Sequence, residues 1–224
     1  MSSKSAEPPK QYTRDEYIFL SKLYWKAELF KEMIKFIKEF TILDPKLNKE
    51  ERDIICTGFK DMISDKRSSW SILNSMERKE KNKKINTVKE IKIVKNNIEK
   101  EIREICNTLQ DLIDKFIIPY NDDIETLVFF YKLKADYFRY ICEFAEEKEY
   151  NDNFSKAEEY YTKGYNLSIK RLNSINLVGK EKDLNLSDYD EKSYKTTGNM
   201  ININVQNREQ ENFPKKYIYN FRNN

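Results

Sequence analysis

Hydrophobic residues recur every three or four positions along most of the chain, which is the spacing of amphipathic helices. The pattern predicts six helices, over about residues 13–27, 30–43, 48–80, 86–118, 123–147 and 154–172. Residues 1–12 are rich in Ser, Lys and Pro, and residues 174–224 are rich in Asn, Lys and Ser without a sustained period. We therefore expect an all-α, antiparallel array of about six helices at 13–173, between a disordered lead and an irregular or disordered tail.

Local signals mark several of the predicted helix ends. Thr13 precedes the first helix and Glu16 follows three residues later, which is the pattern of a capping box. Asp44-Pro45 ends the second predicted helix, Asn48 begins the third, and Pro119 ends the fourth. The buried stripe predicted for the third helix comprises Ile55, Phe59, Met62, Trp70, Leu73 and Met76.

Composition narrows the class of protein further. The 4 glycines and 5 prolines are too few for a turn-rich β-sandwich or a Rossmann domain. There is no histidine, which removes the usual general base and the commonest metal ligand. The cysteines, Cys56, Cys106 and Cys142, are interpreted as reduced core residues rather than as a redox or metal set.

The charges and the apolar runs exclude some partners. The 41 basic and 38 acidic residues give a net charge of +3, so no global signal for nucleic acid exists. The charge run at residues 78–84 is interpreted as a solvated helix end rather than a nucleic-acid patch. With no signal peptide and no apolar run long enough to span a bilayer, we expect a cytoplasmic or nuclear location. The sequence predicts no catalytic residue, cofactor, metal or membrane partner.

One face of the fifth predicted helix carries candidate binding chemistry. Lys132, Asp136, Arg139 and Tyr140 share that face because their offsets are three, four and seven, whereas Leu133, Tyr137 and Ile141 lie elsewhere as packing residues. Lys60 and Arg67 form a similar pair, seven apart, on the third helix. Two such cationic ladders suit a dianion such as a phosphate, although spacing alone leaves ordinary surface charges as an alternative.

Five segments of the predicted helices stand out. They are Phe59-Lys60-Asp61-Met62-Ile63-Ser64-Asp65-Lys66-Arg67-Ser68-Ser69-Trp70, residues 129–140, Glu50-Glu51-Arg52, Arg103-Glu104-Ile105-Cys106-Asn107 and Lys115-Phe116-Ile117-Ile118-Pro119. Together these segments resemble the 14-3-3 family. Their order and spacing agree with the family pattern over about residues 14–170.

The resemblance implies a helical, usually dimeric adaptor that binds phosphoserine or phosphothreonine peptides, without enzymatic activity. The positions of the family's phosphate clamp hold Lys60, Arg67, Arg139 and Tyr140, and Lys132 stands where the family has a further groove lysine. Asp136, one turn before Arg139, is a candidate orienting residue for that guanidinium or for a neighbouring lysine.

Two departures from the family pattern leave alternatives open. Nothing after about residue 174 resembles the family's last three helices, which supply the apolar wall of the groove. The chain is then a truncated, non-functional or wrongly spliced product, a protein whose tail packs over the groove, or a degenerate adaptor. A helical scaffold that binds partners independently of phosphorylation, through the uncovered apolar face, is the other alternative.

The second departure concerns the dimer contacts that the resemblance implies. The candidate interface residues are Leu23, Tyr24, Leu29, Ser69 and Glu101. Leu29 replaces the usual arginine and Asn97 a lysine, so Glu32 and Glu101 are predicted to lack their partners. Ser69 matches a family serine whose phosphorylation loosens dimers. We expect a homo- or heterodimer with a more apolar interface.

Overall fold

The computed structural model describes residues 11–80 and 87–178, with side chains to residue 171. These residues form six α-helices, so the predicted all-α fold is confirmed: α1 (Arg14–Lys26), α2 (Phe30–Leu43), α3 (Lys49–Glu80), α4 (Val88–Leu112), α5 (Ile124–Cys142) and α6 (Glu147–Val178). Residues 1–10, 81–86 and 179–224 lie outside the described residues, and with them most of the predicted lead and tail and part of the charge run. Helix α6 continues past the domain boundary predicted at residue 173.

The chain divides into two compact units, residues 1–62 and 63–224, and α3 runs through the boundary. In the first unit, the predicted capping box is present, because the Thr13 hydroxyl accepts from the Glu16 amide and Glu16 accepts from the Thr13 amide. Asn48 and Glu51 form the same reciprocal pair at the start of α3. Both capping predictions from the sequence are confirmed.

The core of the first unit lies between α2 and the first turns of α3. Its fully buried side chains are Met33, Ile37, Phe40, Ile55 and Phe59. Burial of each such side chain stabilises the fold by about 1.5–3 kcal/mol. A Cβ on Gly58 would lie 1.5 Å from the Met33 Cε, so the end of the Met33 side chain fills the space that a side chain at residue 58 would need.

The second unit contains the rest of α3 with α4, α5 and α6. Helices α5 and α6 are joined by a short turn and pack along their length around Ala135, Ala157 and Tyr161. The predicted packing residues Leu133, Tyr137 and Ile141 are buried. Because these residues occupy the inner face of α5, the residues on its other face are free to serve a site.

Helix α4 ends earlier than its hydrophobic pattern predicts. The regular α-helix stops at Leu112, a π-helical turn follows at Ile113–Ile117, and a 3-10 turn covers Ile118–Tyr120. Pro119 has no amide hydrogen and clashes with the turn before it, so the chain cannot hold regular α geometry up to that residue. The prediction of one helix to residue 118 was wrong in this last part.

The junction between α5 and α6 also differs from the predicted one. Helix α5 ends at Cys142 rather than near residue 147, and α6 begins at Glu147 rather than near residue 154. Phe144 leaves the helix and packs against Trp70, with their ring centroids 6.0 Å apart. This contact between distant parts of the chain outweighs the helical preference of Ala145 and Glu146, which lie between the two helices.

The buried stripe predicted for α3 holds only in part. Ile55, Phe59 and Met62 are buried, Trp70 and Leu73 are half-buried, and Met76 is exposed. The neighbouring Glu77 is buried instead and pairs with Lys95 at 2.6 Å. An ion pair therefore takes the inward position that the apolar pattern had given to Met76.

Candidate functional site

The second unit brings two arginines of distant sequence position to one tyrosine ring. Arg67 of α3 places its Cζ 4.0 Å from the centroid of the Tyr140 ring, and Arg139 of α5 places its Cζ 4.8 Å from it. A guanidinium over an aromatic face is attracted by the ring quadrupole. Tyr140 therefore serves as a platform that holds two cations close together.

A carboxylate on the same face connects the remaining polar side chains. Asp136 accepts hydrogen bonds from the Lys132 ammonium at 3.2 Å and from the Tyr161 hydroxyl at 2.5 Å, and its oxygen lies 3.5 Å from an Arg139 nitrogen. Asp136 is mostly buried, and all three contacts come from α5 and α6. It touches the two groups that the sequence analysis expected it to orient.

The site contains a second carboxylate that sequence reasoning missed. Glu143, the residue after α5, accepts two hydrogen bonds from the Arg67 guanidinium, one of them 2.8 Å from Nε. Its Oε1 also lies 3.8 Å from an Arg139 nitrogen. The signal was its position four residues after Arg139, which a helix places on the same face, but the predicted face ended at Tyr140. We call Arg67, Lys132, Asp136, Arg139, Tyr140 and Glu143 the cationic cluster.

The charges of the cationic cluster are three cations and two carboxylates, which leaves one net positive charge. Burial, followed by the nearby Asp136, raises the pKa of the Tyr140 phenol. The same two causes raise the pKa of Tyr161. Both phenols therefore stay neutral near pH 7, and the Tyr161 hydroxyl donates to Asp136. The cluster combines cations with one neutral hydroxyl, that of Tyr140, which is the chemistry that an oxyanion requires.

Lys60, the remaining predicted phosphate ligand, belongs to the first unit. It is exposed and stands seven residues before Arg67 on α3. Its predicted convergence with Arg67 and Arg139 stays a prediction.

The candidate dimer residues lie in both units. Leu23 and Leu29 are exposed, while Tyr24 is half-buried and packs its ring against Phe36. Ser69 is exposed on α3. Glu101 forms an ion pair with Lys66 of the same chain, and the predicted loss of its partner across the dimer interface stays a prediction.

The three cysteines are free thiols, and burial raises the pKa of Cys142 to about 12. Cys106 is buried, whereas Cys56 and Cys142 are half-buried. Among the described residues there is no group of three or more Cys, Asp or Glu side chains placed to hold a metal ion. None of the helices in the described part of the chain is long and apolar enough to cross a membrane.

The fold and the cluster together define an all-α protein with a preformed group of cations on its α3 and α5 helices. The family model described as "14-3-3 protein" matches residues 20–205. The chain belongs to the 14-3-3 family. The match extends beyond residue 174, where the sequence analysis found no resemblance.

Individual relatives agree with this assignment. The chain is 39% identical over 148 residues to 14-3-3-like protein GF14 epsilon of Arabidopsis thaliana, covering 64% of this chain and 58% of the relative. It is 36% identical over 168 residues to 14-3-3-like protein GF14 omicron of the same plant, covering 73% and 67%. The 14-3-3 protein of Giardia intestinalis is 28% identical over 160 residues, covering 70% and 64%. The chain thus spans about six-tenths of the length of these relatives.

Proposed function

We propose that this chain is an adaptor that binds phosphoserine- or phosphothreonine-containing segments of client proteins. The observation that carries the proposal is the meeting of Arg67 and Arg139 at the ring of Tyr140, with Lys132 held by Asp136 on the same helix. A phosphorylated side chain brings nearly two negative charges and three acceptor oxygens, which match these donors. Membership of the 14-3-3 family supports such a role.

Each side chain has a distinct part in the proposed complex. Arg67 and Arg139 offer guanidinium groups that bind phosphate oxygens in pairs, and Lys132 adds a point charge. Tyr140 donates from its hydroxyl without adding charge. Asp136 orients Lys132 and Arg139, and Lys60 contributes a further cation when a client is bound. No residue of the chain is assigned a catalytic role.

The proposal is tested by fluorescence anisotropy with two peptides that differ only in the phosphate on one serine. We expect binding of the phosphorylated peptide alone. Charge reversal at Lys60 (Lys60→Glu) or removal of Arg139 (Arg139→Ala) should abolish the difference. Lys115→Ala is the matched control, because Lys115 is exposed and pairs with Asp111, four residues before it. Equal binding of the two peptides by folded protein would contradict the proposal.

We also propose that the protein forms dimers through its exposed apolar side chains. In the first unit these include Leu23 and Leu29 of the α1 and α2 region, and in the second unit Ile72 of α3 and Ile93 of α4. Ile72 and Ile93 are each 62% exposed, which is unusual for isoleucine. Light scattering should show a dimer mass for the wild type. Leu23→Lys, or a phosphate-mimicking Ser69→Glu, should shift it toward the monomer.

The same exposed side chains support a second function, a scaffold that binds apolar partner helices whether or not these carry phosphate. It predicts client binding that is insensitive to Arg139→Ala and lost with Ile93→Lys. The adaptor proposal predicts the reverse order of effects for these two variants. A cytoplasmic or nuclear location stays a prediction from the sequence.

A further inference from the structure

Glu143 occupies the donors that a phosphate would use. Both of its carboxylate oxygens accept hydrogen bonds from Arg67, at Nε and at the adjacent terminal nitrogen. One of those oxygens lies 3.8 Å from Arg139, and the side chain is mostly buried. A carboxylate with this paired geometry is the closest match within a protein to two oxygens of a phosphate.

The position of Glu143 relative to the other anion of the cluster is informative. Asp136 contacts Lys132, Tyr161 and Arg139, whereas Glu143 contacts both guanidinium groups that stack on Tyr140 and is the carboxylate that binds Arg67. Arg67 has five N–H donors, and Glu143 engages two of them. A ligand at the Tyr140 platform therefore meets a negative charge that is already bound to the same arginine.

Two opposing effects follow when the charge of Glu143 is removed. Arg67 loses part of its fixed geometry, which weakens ligand binding. However, its guanidinium still stacks on Tyr140 at 4.0 Å, and a glutamine at position 143 would keep one acceptor oxygen. The cluster meanwhile gains a full unit of positive charge, and the Coulomb energy with a dianion is twice that with a monoanion at the same distance. The electrostatic gain is then the larger effect.

We propose that Glu143 is a resident counter-anion that competes with phosphate for Arg67 and Arg139 and so limits the affinity of the site. This inference rests on the proposed phosphopeptide-binding function and adds a residue that sets its strength. Without a client, Glu143 holds the two like charges together. With a client, its negative charge opposes the phosphate and keeps the complex readily reversible.

The test compares wild-type protein with Glu143→Gln, using matched peptides that carry phosphoserine, glutamate or serine at one position. We expect Glu143→Gln to bind the phosphopeptide about tenfold more tightly, and the glutamate peptide only about threefold more tightly, because the effect follows ligand charge. The gain should shrink at high salt. It should also shrink below about pH 6, where the phosphate takes up its second proton.

Glu149→Gln is the matched control. Glu149 also holds an arginine, Arg103, by two hydrogen bonds in the same unit, at 2.7 and 2.8 Å. Its loss should leave the affinity for all three peptides unchanged.

The outcomes separate the two proposals. If the wild type binds the phosphoserine and serine peptides equally, the proposed function itself fails. If the wild type prefers the phosphopeptide, but Glu143→Gln binds it equally or less tightly, the role of Glu143 as a competitor is wrong. Should Glu143→Gln fail to fold, the side-chain N–H resonances of wild-type arginines give the answer. The Arg67 Nε–H signal should shift on saturation with phosphopeptide, and an unchanged signal would overturn the proposal.

Discussion

The second unit holds arginines in two ways, and the contrast separates a structural ion pair from a candidate binding site. Arg103 lies between two carboxylates, with two hydrogen bonds to Glu149 and a 3.8 Å contact to Glu99. Arg67 and Arg139 instead share Glu143, and Arg139 shares its other carboxylate, Asp136, with Lys132. The hydrogen-bond geometry is similar in both places. The ratio of cations to carboxylates differs, and only the cationic cluster has positive charge left for a ligand.

Lys134 extends the contrast to a buried cation. Its side chain is 2% exposed, and its ammonium pairs with Asp114 and donates to the Tyr160 hydroxyl at 2.8 Å. Like Arg103, it has partners of its own within the protein. We therefore assign Lys134 to stability, even though it lies only two residues from Lys132.

The largest expected difference is between removing Arg139, an arginine of the cationic cluster, and removing Arg103, an arginine of the structural ion pair. Arg139→Ala should weaken phosphopeptide binding by about 2–3 kcal/mol, which is a loss of roughly one hundredfold, because a charge-assisted contact disappears. Arg103→Ala should leave that affinity unchanged in folded protein and lower the free energy of unfolding by about 1–2 kcal/mol. Titration and chemical denaturation of both variants measure these effects. If both variants lost affinity for the phosphopeptide, the distinction between a binding arginine and a structural arginine would be wrong.

The next effect concerns the buried lysine. Asp114→Asn should lower the free energy of unfolding by about 2 kcal/mol, because Lys134 then keeps a buried charge without its carboxylate partner. Asp111→Asn is the control, since Asp111 is 65% exposed and pairs with the exposed Lys115 one turn away. It should change stability by about 0.5 kcal/mol or less. Urea denaturation compares the two, and similar losses would contradict the assignment.

A smaller effect is expected from pH on the stability of the fold, through the Glu149 carboxyl. The hydrogen bonds from Arg103 lower the pKa of the Glu149 carboxyl. A carboxyl whose pKa is lower in the folded state stabilises the fold above its ordinary pKa, and this contribution is lost as the pH falls through the lowered pKa. Because Glu149 is partly exposed, we expect about 0.5–1 kcal/mol.

The measurement is the difference in Tm between the wild type and Glu149→Gln. The wild type should be more stable near pH 7, and the difference should vanish in acid. A difference that stays constant with pH would show that the pair does not act through charge.

The smallest effect should come from Lys132. Its ammonium is partly exposed and pairs with Asp136 within one turn of α5. Lys132→Gln should weaken phosphopeptide binding by about threefold and reduce its salt dependence, with stability unchanged. Titrations at low and high salt provide the check. A loss as large as that of Arg139→Ala would place Lys132 among the principal ligands.

Local chemistry was sufficient to predict most of the fold. The Thr13–Glu16 capping box, the break at Asp44-Pro45 and the helical spacing of α2 and α5 all act over a few residues. The early end of α5 was missed because its cause is distant in sequence. Phe144 packs on Trp70, and Glu143 pairs with Arg67. Contacts separated by more than seventy residues leave no periodic signal in a single sequence.

Most of the residues of the candidate site on α5 could also be predicted from the sequence. Spacing on one helix face grouped Lys132, Asp136, Arg139 and Tyr140, and their contacts lie together in the structure. Glu143 and Tyr161 were missed because their partners, Arg67 and Asp136, lie 76 and 25 residues away in the sequence, and spacing along one helix does not show such contacts.

The two tryptophans of this chain provide a natural pair of fluorescent reporters. Trp25 lies in the first unit, where its indole N–H donates to Asp61 at 2.8 Å. Trp70 lies in the second, where its indole N–H donates to Glu99 and its ring contacts Phe144, the neighbour of Glu143. Replacing either tryptophan by phenylalanine leaves one emitter per molecule. The intensity and wavelength of the fluorescence emission then report on each unit separately as the protein unfolds or binds a ligand.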